Sequence, residues 1–588
     1  MTKRILLIPS CREGNGTGHL KRMLNLYTVL SKSCNTGIYL PCSSLAESFT
    51  AILKEKVEED SLFTGTFPSA ETFDLIVVDK RQTLRAEFRA WAERGILIGI
   101  DEGGEMRKNF PYLIDTLPSA AEGSPPNIFC PGFLDLPSAE FRKGTGYIPP
   151  ARGFGKSLIS FGGEDPAHLT EKTLQFLVSD LGIAFKDITV VQGPLFGNRD
   201  FLYKEVRLLK SPDSLKDLLF EYDTVFTSFG LTAYEAAAAG NRVILINPTP
   251  YHKELSKRGG FTEAGTGKIH KRKLQSIFKD PGKIRYPEVK GAECFETTLS
   301  GYILSLNPAK PVVCPACGSR SATGEERFPG KSFFVCGSCS MEYLVSFKTK
   351  GDPYTKDYFF SEYEKQYGRS YLEDFPVIRK MAEARLSIIS GFMKKGSLLD
   401  VGCAYGPFLL ESRNAGYDTA GLELVDEAAE YTEQKLGIPV IRSSFEEADI
   451  ELEYDIVTMW YVIEHFENLD LVLKKVNKII RDGGIFAFST PNSSGITGKS
   501  RRNVFFSTSP EDHYTVWNPL SAEKVLRMYG FEIIKIRSTG HHPERFNGVL
   551  KAEKGVKRHI INWMSKVFKL GDTFEVYAVK TRSIFNDS

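Results

Sequence analysis

Apolar residues in the first half of the chain come in short runs separated by longer, helix-patterned stretches. The runs at 5–8, 75–78, 96–100, 158–159, 188–191, 224–226 and 243–246 are each bounded by Gly, Pro, Asp or Ser. Apolar runs of this length alternating with helical segments predict βα units, whose parallel sheet is covered on both faces. The alternation pauses in the Pro- and Gly-rich segment 126–150 and then restarts. It therefore predicts two successive Rossmann-like half-domains, 1–145 and 146–305, with a cleft between them. The same alternation returns after residue 349, with strands predicted at 397–401, 418–423, 454–460, 483–489 and 573–579.

Between these regions, Cys314-Pro-Ala-Cys317 and Cys336-Gly-Ser-Cys339 form two CxxC knuckles. Four thiolates at this spacing suit a tetrahedral ion, and zinc accepts four soft ligands without redox chemistry. Cys314, Cys317, Cys336 and Cys339 are thus the expected ligands of a structural Zn2+ in a ribbon spanning 306–348. With Cys at all four positions, no open coordination site is left for water. The other six cysteines are scattered singly and read as reduced core or loop residues.

Composition narrows the function classes. Lys and Arg number 75 against 73 Asp and Glu, so the chain as a whole lacks the basic excess of a nucleic-acid binder. The opening apolar run is too short for a secretory segment, and no window reaches the ~18 apolar residues of a membrane span. The expectation is a cytoplasmic protein. The segment 557–569 is basic and amphipathic, as an interfacial helix would be. Peripheral membrane contact and a helix packed before the last strand are the alternatives there. The polar segment 492–503 reads as a mobile loop.

The first predicted strand runs into Glu13-Gly-Asn-Gly-Thr-Gly-His19-Leu-Lys-Arg22. Glycines let backbone approach a ligand, and a following helix offers free N–H groups to an anion. Further along come Asp74-Leu-Ile-Val-Val-Asp79, Ile100-Asp101 and Ser160-Phe-Gly-Gly-Glu-Asp-Pro166. Ser228-Phe-Gly-Leu-Thr-Ala-Tyr-Glu235 closes the series before an Ala-rich helix. Across about 300 residues these motifs resemble, in order, the UDP-sugar hydrolases of pseudaminic acid biosynthesis and the related GT-B glycosyltransferases. The resemblance implies a GT-B-like pair of Rossmann-like domains. It implies nucleotide-sugar contacts from Gly16, Gly18, Arg22, Gly162, Gly163, Gly230, Thr232 and Glu235. Glu235 would take ribose hydroxyls, and His19 would be the catalytic histidine that activates water. Two positions depart from the pattern. Phe229 stands where a small residue is usual, and Tyr251-His252 replaces an amide pair.

In the last region, Ser397-Leu-Leu-Asp400-Val-Gly402-Cys-Ala-Tyr-Gly406-Pro-Phe408 resembles the first motif of class I S-adenosylmethionine (SAM) methyltransferases. The resemblance implies SAM contacts from Asp400, Gly402 and Gly406. Glu423 would hold the ribose diol by the logic of a dinucleotide fold, and Ser444 and Phe445 would hold the adenine edge. Glu464, His465 and His513 are the candidate bases for a hydroxyl acceptor. The tyrosines and phenylalanines of 352–375 read as core packing, or as a cover over the ligands. A ribbon ahead of such a domain resembles the methyltransferases of deoxysugar and polysaccharide pathways.

The expected protein therefore has four domains, 1–145, 146–305, 306–348 and 349–588. It joins a UDP-sugar hydrolase or glycosyltransferase to a SAM-dependent sugar O-methyltransferase, acting in surface-glycan or nonulosonate-type sugar biosynthesis. Its partners are a nucleotide-activated sugar and a sugar acceptor of methyl, with no nucleic acid. Two alternatives stand beside this. The front half is a non-catalytic nucleotide-sugar-binding module, or the chain is a zinc-bearing RNA methyltransferase.

Overall fold

The structure is a computed structural model. It describes every residue except 1, 11–17, 42–52, 66, 69, 120–122, 138–149, 164, 166, 194–195, 197–204, 211, 213, 288, 290–296, 309–311, 349–362, 365–367, 543–544, 547–555 and 585–588. Two compact units result. One comprises Met1–Asn307 with Arg327–Pro329; the other comprises Pro308–Glu326 with Gly330–Ser588.

The first unit holds two parallel sheets. Strands β1 (Arg4–Pro9), β2 (Asn35–Pro41), β3 (Leu62–Gly65), β4 (Leu75–Asp79), β5 (Ile96–Ile100), β6 (Tyr112–Asp115) and β7 (Ile128–Phe129) lie in the order β3-β2-β1-β4-β5-β6-β7. Strands β8 (Ser157–Ile159), β9 (Ile188–Gln192), β10 (Arg207–Lys210), β11 (Thr224–Thr227), β12 (Arg242–Asn247) and β13 (Glu263–Thr266) follow in the order β10-β9-β8-β11-β12-β13. Both sheets reverse direction beside their first strand, which opens a crevice at the carboxyl ends of the strands. The central strands are apolar throughout because helices cover both faces; every residue of β4 and β5 is buried. All seven strands read from the front-half sequence are present. Of the additional ones, β10 and β13 are short and polar, β2 and β3 end in Pro or Gly, and β6 and β7 are only four and two residues long.

The second unit begins with β14 (Ala322–Phe328, of which Arg327 and Phe328 are counted with the first unit), β15 (Lys331–Cys336) and β16 (Glu342–Ser346). These belong to a four-stranded sheet completed by β22 (Thr515–Val516). The larger sheet contains β17 (Ser397–Val401), β18 (Asp418–Glu423), β19 (Val440–Arg442), β20 (Tyr454–Trp460), β21 (Ile480–Pro491), β23 (Phe531–Thr539) and β24 (Thr573–Lys580), in the order β19-β18-β17-β20-β21-β24-β23. β24 runs antiparallel to both its neighbours.

The segment expected as a mobile loop is ordered instead. It turns at Asn492 and forms helices Ile496–Ser500 and Arg502–Ser507. Asp572 accepts hydrogen bonds from Thr497 N at 2.8 Å and Thr497 Oγ1 at 2.6 Å, and Asn492 Nδ2 donates to Gly571 O at 2.8 Å. These anchors lie about 75 residues away in sequence, so no local pattern announces them.

One charge cluster is buried in this unit's core. Arg385, on the helix Tyr371–Phe392, pairs with Glu575 at 3.0 Å and stacks on Trp460 with its guanidinium carbon 4.1 Å from the ring centre. Arg537 meets Glu575 at 2.7 Å, and Tyr577 Oη donates to it at 2.8 Å. Removing one partner of a buried pair leaves an uncompensated charge. Glu575→Ala is therefore expected to destabilise this unit by about 3–5 kcal/mol in denaturant unfolding, with Arg385→Met tolerated better.

Candidate functional site

In the first unit, the helix Gly18–Leu30 follows β1 and brings His19 and Arg22 over the end of β4. His19 Nδ1 lies 2.6 Å from Asp79 Oδ1. Arg22 grips the same carboxylate in bidentate fashion, with both N···O distances 2.7 Å, and reaches Asp101 at 2.7 Å and Thr116 Oγ1 at 2.6 Å. Burial would raise the pKa of Asp79, but the Arg22 charge and the hydrogen bonds with His19 and Arg22 override it and hold it down at about 2. An ionised Asp79 accepts only, so His19 carries its proton on Nδ1 and leaves Nε2 as an acceptor. Asp101 adopts the left-handed region at φ 50 and receives the backbone N–H groups of Thr116 and Leu117 at 2.7 and 2.9 Å.

The second sheet faces this cluster with Gly230 and the helix Leu231–Ala238. A Cβ on Gly18 would lie 3.1 Å from Leu231 Cδ1, so the two helix N-termini meet. Thr232 is in the first turn, and Glu235 sits one turn further on, half-buried. Burial pushes the Glu235 carboxyl up to about 7, with Lys21 and Lys216 pulling against it. The Phe229 ring is buried, only 4% exposed. It turns into the core, edge-on to Tyr234 and Phe261, while its N–H donates to Asn247 Oδ1 at 3.0 Å. Space beside Gly230 stays open as a result. Gly162 and Gly163 form the turn after β8, and a Cβ on Gly193 would lie 2.5 Å from both Gly162 O and Gly163 Cα. Gly193 escaped the sequence reading because only its opposite strand end explains it. His252 is buried and its pKa is lowered to about 4, by burial and then by Arg81. Gly16 lies outside the described residues.

In the second unit, each CxxC knuckle closes on a left-handed residue. Gly318 N donates to Cys314 O at 2.9 Å with φ 67, and Ser340 N to Cys336 O at 3.0 Å with φ 65. The Sγ atoms of Cys314 and Cys339 are 3.5 Å apart, and those of Cys317 and Cys336 3.6 Å. Zn–S bonds of about 2.3 Å place tetrahedral sulfurs about 3.7 Å apart, so the four thiols fit a zinc ion. They are free cysteines, with no disulfide among the described residues.

The loop after β17 has Gly402, Ala404 and Gly406 at positive φ of 70, 48 and 74. A Cβ on Gly402 would come within 2.6 Å of Val462 Cγ2, and one on Gly406 within 2.9 Å of Thr432 and Leu436. Asp400 accepts from Thr458 Oγ1 at 2.6 Å, and burial raises it to about 7. Glu423 accepts the N–H groups of Ala404, Leu424 and Val425 at 2.8–2.9 Å, tying the loop to the end of β18. Ser444 Oγ caps Glu447 N at 3.2 Å, while the Phe445 ring is buried against Phe466. Of the aromatic-rich stretch, Tyr363 and Tyr371 are described. Tyr371 joins Phe375 and Tyr431 around Tyr405 of the loop. Tyr354, Tyr358, Phe359, Phe360 and Tyr367 lie outside the described residues.

Beyond β20, the turn Ile463–His465 carries two of the candidate bases. His465 Nδ1 is 3.0 Å from Asp512 Oδ2, and the His465 and His513 rings stand edge-to-face at 4.7 Å. Burial alone would lower the His465 pKa, but the Asp512 hydrogen bond and the Glu464 charge raise it overall. His513 is driven down to about 3 by burial and by His465. Glu464 is 1% exposed, and burial lifts it to about 7; its Oε2 has no hydrogen-bond partner among the described residues. One donor atom from each of Glu464, His465 and His513 lies within 4.8 Å of the others, close enough for one cation to bridge. Asp512, which orients His465, was not legible in sequence: 47 residues separate them.

Residues 374–536 match the family model described as methyltransferase domain. The C-terminal half carries a methyltransferase domain. That domain runs from the helix bearing Arg385 into β23 and encloses the glycine loop, Glu464, His465, Asp512 and His513. Two curated relatives overlap the chain in part. One is an uncharacterized protein of Methanocaldococcus jannaschii, 34% identical over 113 residues, which cover 17% of this chain and 21% of that protein. The other is a ubiquinone biosynthesis O-methyltransferase of Rickettsia bellii, 28% identical over 131 residues, 20% of this chain and 55% of that protein. The chain thus spans between about a fifth and about half the length of these relatives. A SAM-dependent methyltransferase structure from Archaeoglobus fulgidus aligns at 20% identity, covering 38% of this chain and all of that one, with a TM-score of 0.29.

The four thiols predict one zinc per chain by elemental analysis. Cys336→Ser is expected to lower zinc content at least several-fold and to make the ribbon sensitive to proteolysis.

Proposed function

We propose that the methyltransferase domain moves the methyl group of S-adenosylmethionine to a sugar hydroxyl. The front half, a GT-B-like pair of domains, binds a nucleotide-activated sugar and cleaves or transfers it. In sequence a zinc ribbon separates the two.

The observation that carries the methyltransferase reading is the His465–Asp512 hydrogen bond at 3.0 Å, three residues beyond the Val462 that touches Gly402. SAM, when bound, supplies a methyl group on a sulfonium centre, which leaves acceptor alignment and proton removal to the protein. Gly402 and Gly406 let the loop take its left-handed turns and pack closely on Val462, Thr432 and Leu436, shaping the cradle for the donor; Glu423 fixes the loop, and Ser444 and Phe445 border the adenine end. Asp512 holds the Nδ1–H of His465, so Nε2 is free to take the acceptor's proton. His513 remains neutral and serves as a wall or hydrogen-bond partner. This assigns the base role to His465.

For the front half, support comes from the meeting of two helix N-termini at Gly18 and Leu231. Such ends favour an anion, and a nucleoside diphosphate suits them. Gly162, Gly163, Gly230 and Thr232 would line the phosphates and Glu235 the ribose. His19, its tautomer set by Asp79, is placed to activate water or an acceptor. UDP binding without turnover, unchanged in His19→Ala, would recast this half as a binding module.

Incubating the protein with UDP-linked deoxyaminosugars, with and without SAM, and following both products by mass spectrometry tests the two activities together. Free UDP and a sugar one methyl group heavier are expected; methyl label entering RNA instead would overturn the substrate class. Gly402→Arg is expected to abolish methylation. His465→Ala should slow methyl transfer by about 10²–10⁴-fold. A base must be neutral, and the fold favours the His465 cation. Methyl transfer should therefore rise with pH through a midpoint above the ordinary histidine value of about 6.5. Asp512→Asn removes that stabilisation, so the midpoint should move down while kcat falls.

A further inference from the structure

We propose that the helix Val556–Val567, together with Phe568, is a docking surface for an anionic lipid bilayer, a role separate from either proposed activity. The helix connects β23 to β24 and is fastened on one side. Ile561 is 3% exposed and packs with Ile496, Phe546 and Leu570, and Ser565 is fully buried. Its other side is bare. Ile560, Trp563 and Val567 are 50%, 64% and 52% exposed, and Phe568 just beyond the helix is 62% exposed. Positions 560, 563 and 567 follow the i, i+3, i+7 spacing of a single helical stripe, so the exposed apolar groups form a ridge rather than scattered residues.

The charge on this segment selects the occupant. From 556 to 570 the sequence carries Lys557, Arg558, Lys566 and Lys569 and no Asp or Glu. A second copy docking ridge to ridge would bring two cationic segments together without a compensating acid, which is unfavourable. An anionic bilayer satisfies both features: the ridge enters the boundary between head groups and acyl chains, and the exposed Lys566 and Lys569 stay among the phosphates. A tryptophan at such a boundary keeps its N–H in the polar layer and its ring in the apolar one. RNA would meet the charges but would leave Ile560 and Val567 uncovered. Among the described residues no helix is long and apolar enough to cross a membrane, so the contact is peripheral.

The test is co-sedimentation of the full chain with vesicles of phosphatidylcholine alone or with about 30% phosphatidylglycerol. Partitioning onto the anionic vesicles is expected to be at least about tenfold stronger and to weaken with salt. Trp563→Ser with Val567→Ser should abolish it while leaving methyl transfer to a soluble acceptor unchanged. Lys566→Glu with Lys569→Glu changes only exposed charges and should remove the anionic preference, so the test survives if the first pair disturbs folding. Three outcomes would overturn the proposal: equal binding to both vesicle types, no binding to either, or a dimer in buffer that the ridge substitutions dissociate. Binding to an RNA oligomer that the ridge substitutions leave intact would assign the charges to nucleic acid and likewise overturn it.

Discussion

Antiparallel pairing of Glu342 and Tyr343 with Val516 and Thr515 is the contact on which the candidate methyl-acceptor site depends. It makes the cysteine-bearing sheet an extension of the wall of that candidate site. Leu344 N continues the ladder to Tyr514 O at 3.0 Å, and Lys331 Nζ donates to Ser509 O at 2.6 Å. Asp512 and His513 lie between these two attachments. Arg502 adds ion pairs to Glu325 at 3.0 Å and Glu342 at 3.2 Å, and Phe333 packs on Phe506 with ring centres 4.6 Å apart. On the far side, Tyr529 Oη bonds Asp470 at 2.6 Å and reaches Ala316 O of the first knuckle, while Asp470 N donates to Pro315 O at 2.9 Å. A ribbon this small cannot bury enough apolar surface to hold itself. A metal in the four-thiol site would stiffen it and, through β16, the turn that carries Asp512.

Carboxylates at the ends of parallel strands recur in both units, yet their environments separate them chemically. Asp79 is fully buried but pairs with the Arg22 guanidinium and is hydrogen-bonded to His19, so it stays ionised and can fix a histidine tautomer. Asp400 is equally enclosed and has one hydroxyl donor, and its pKa rises to about 7. Glu423 receives three backbone N–H groups, which moderate the rise that burial imposes. The same residue type at equivalent strand ends therefore serves as an anionic anchor in one sheet and as a group poised near neutrality in another.

Much of the candidate chemistry was legible as residue type and spacing. The motif from Asp400 to Gly406 and the two knuckles depend on local backbone demands. Positive φ at Gly402, Gly406 and Gly318 leaves little choice of residue. Phe229 misled for the same reason. Sequence showed only a bulky ring where a small residue is usual, whereas Tyr234 and Phe261 draw it into the core.

By itself the sequence determined the parallel sheets, because near-continuous apolar runs separated by helical stretches must be covered on both faces. It likewise determined the four-thiol site, because two knuckles at this spacing fold locally. Tertiary structure alone decided which acid pairs with which histidine. Asp79 reaches His19 across 60 residues and Asp512 reaches His465 across 47, joined only once the strand ends meet. It also decided that the segment after β21 is helical and that one face of the helix Val556–Val567 stays in solvent. Hydrogen bonds and burial between distant segments fix these features, and neither leaves a periodic trace in the chain.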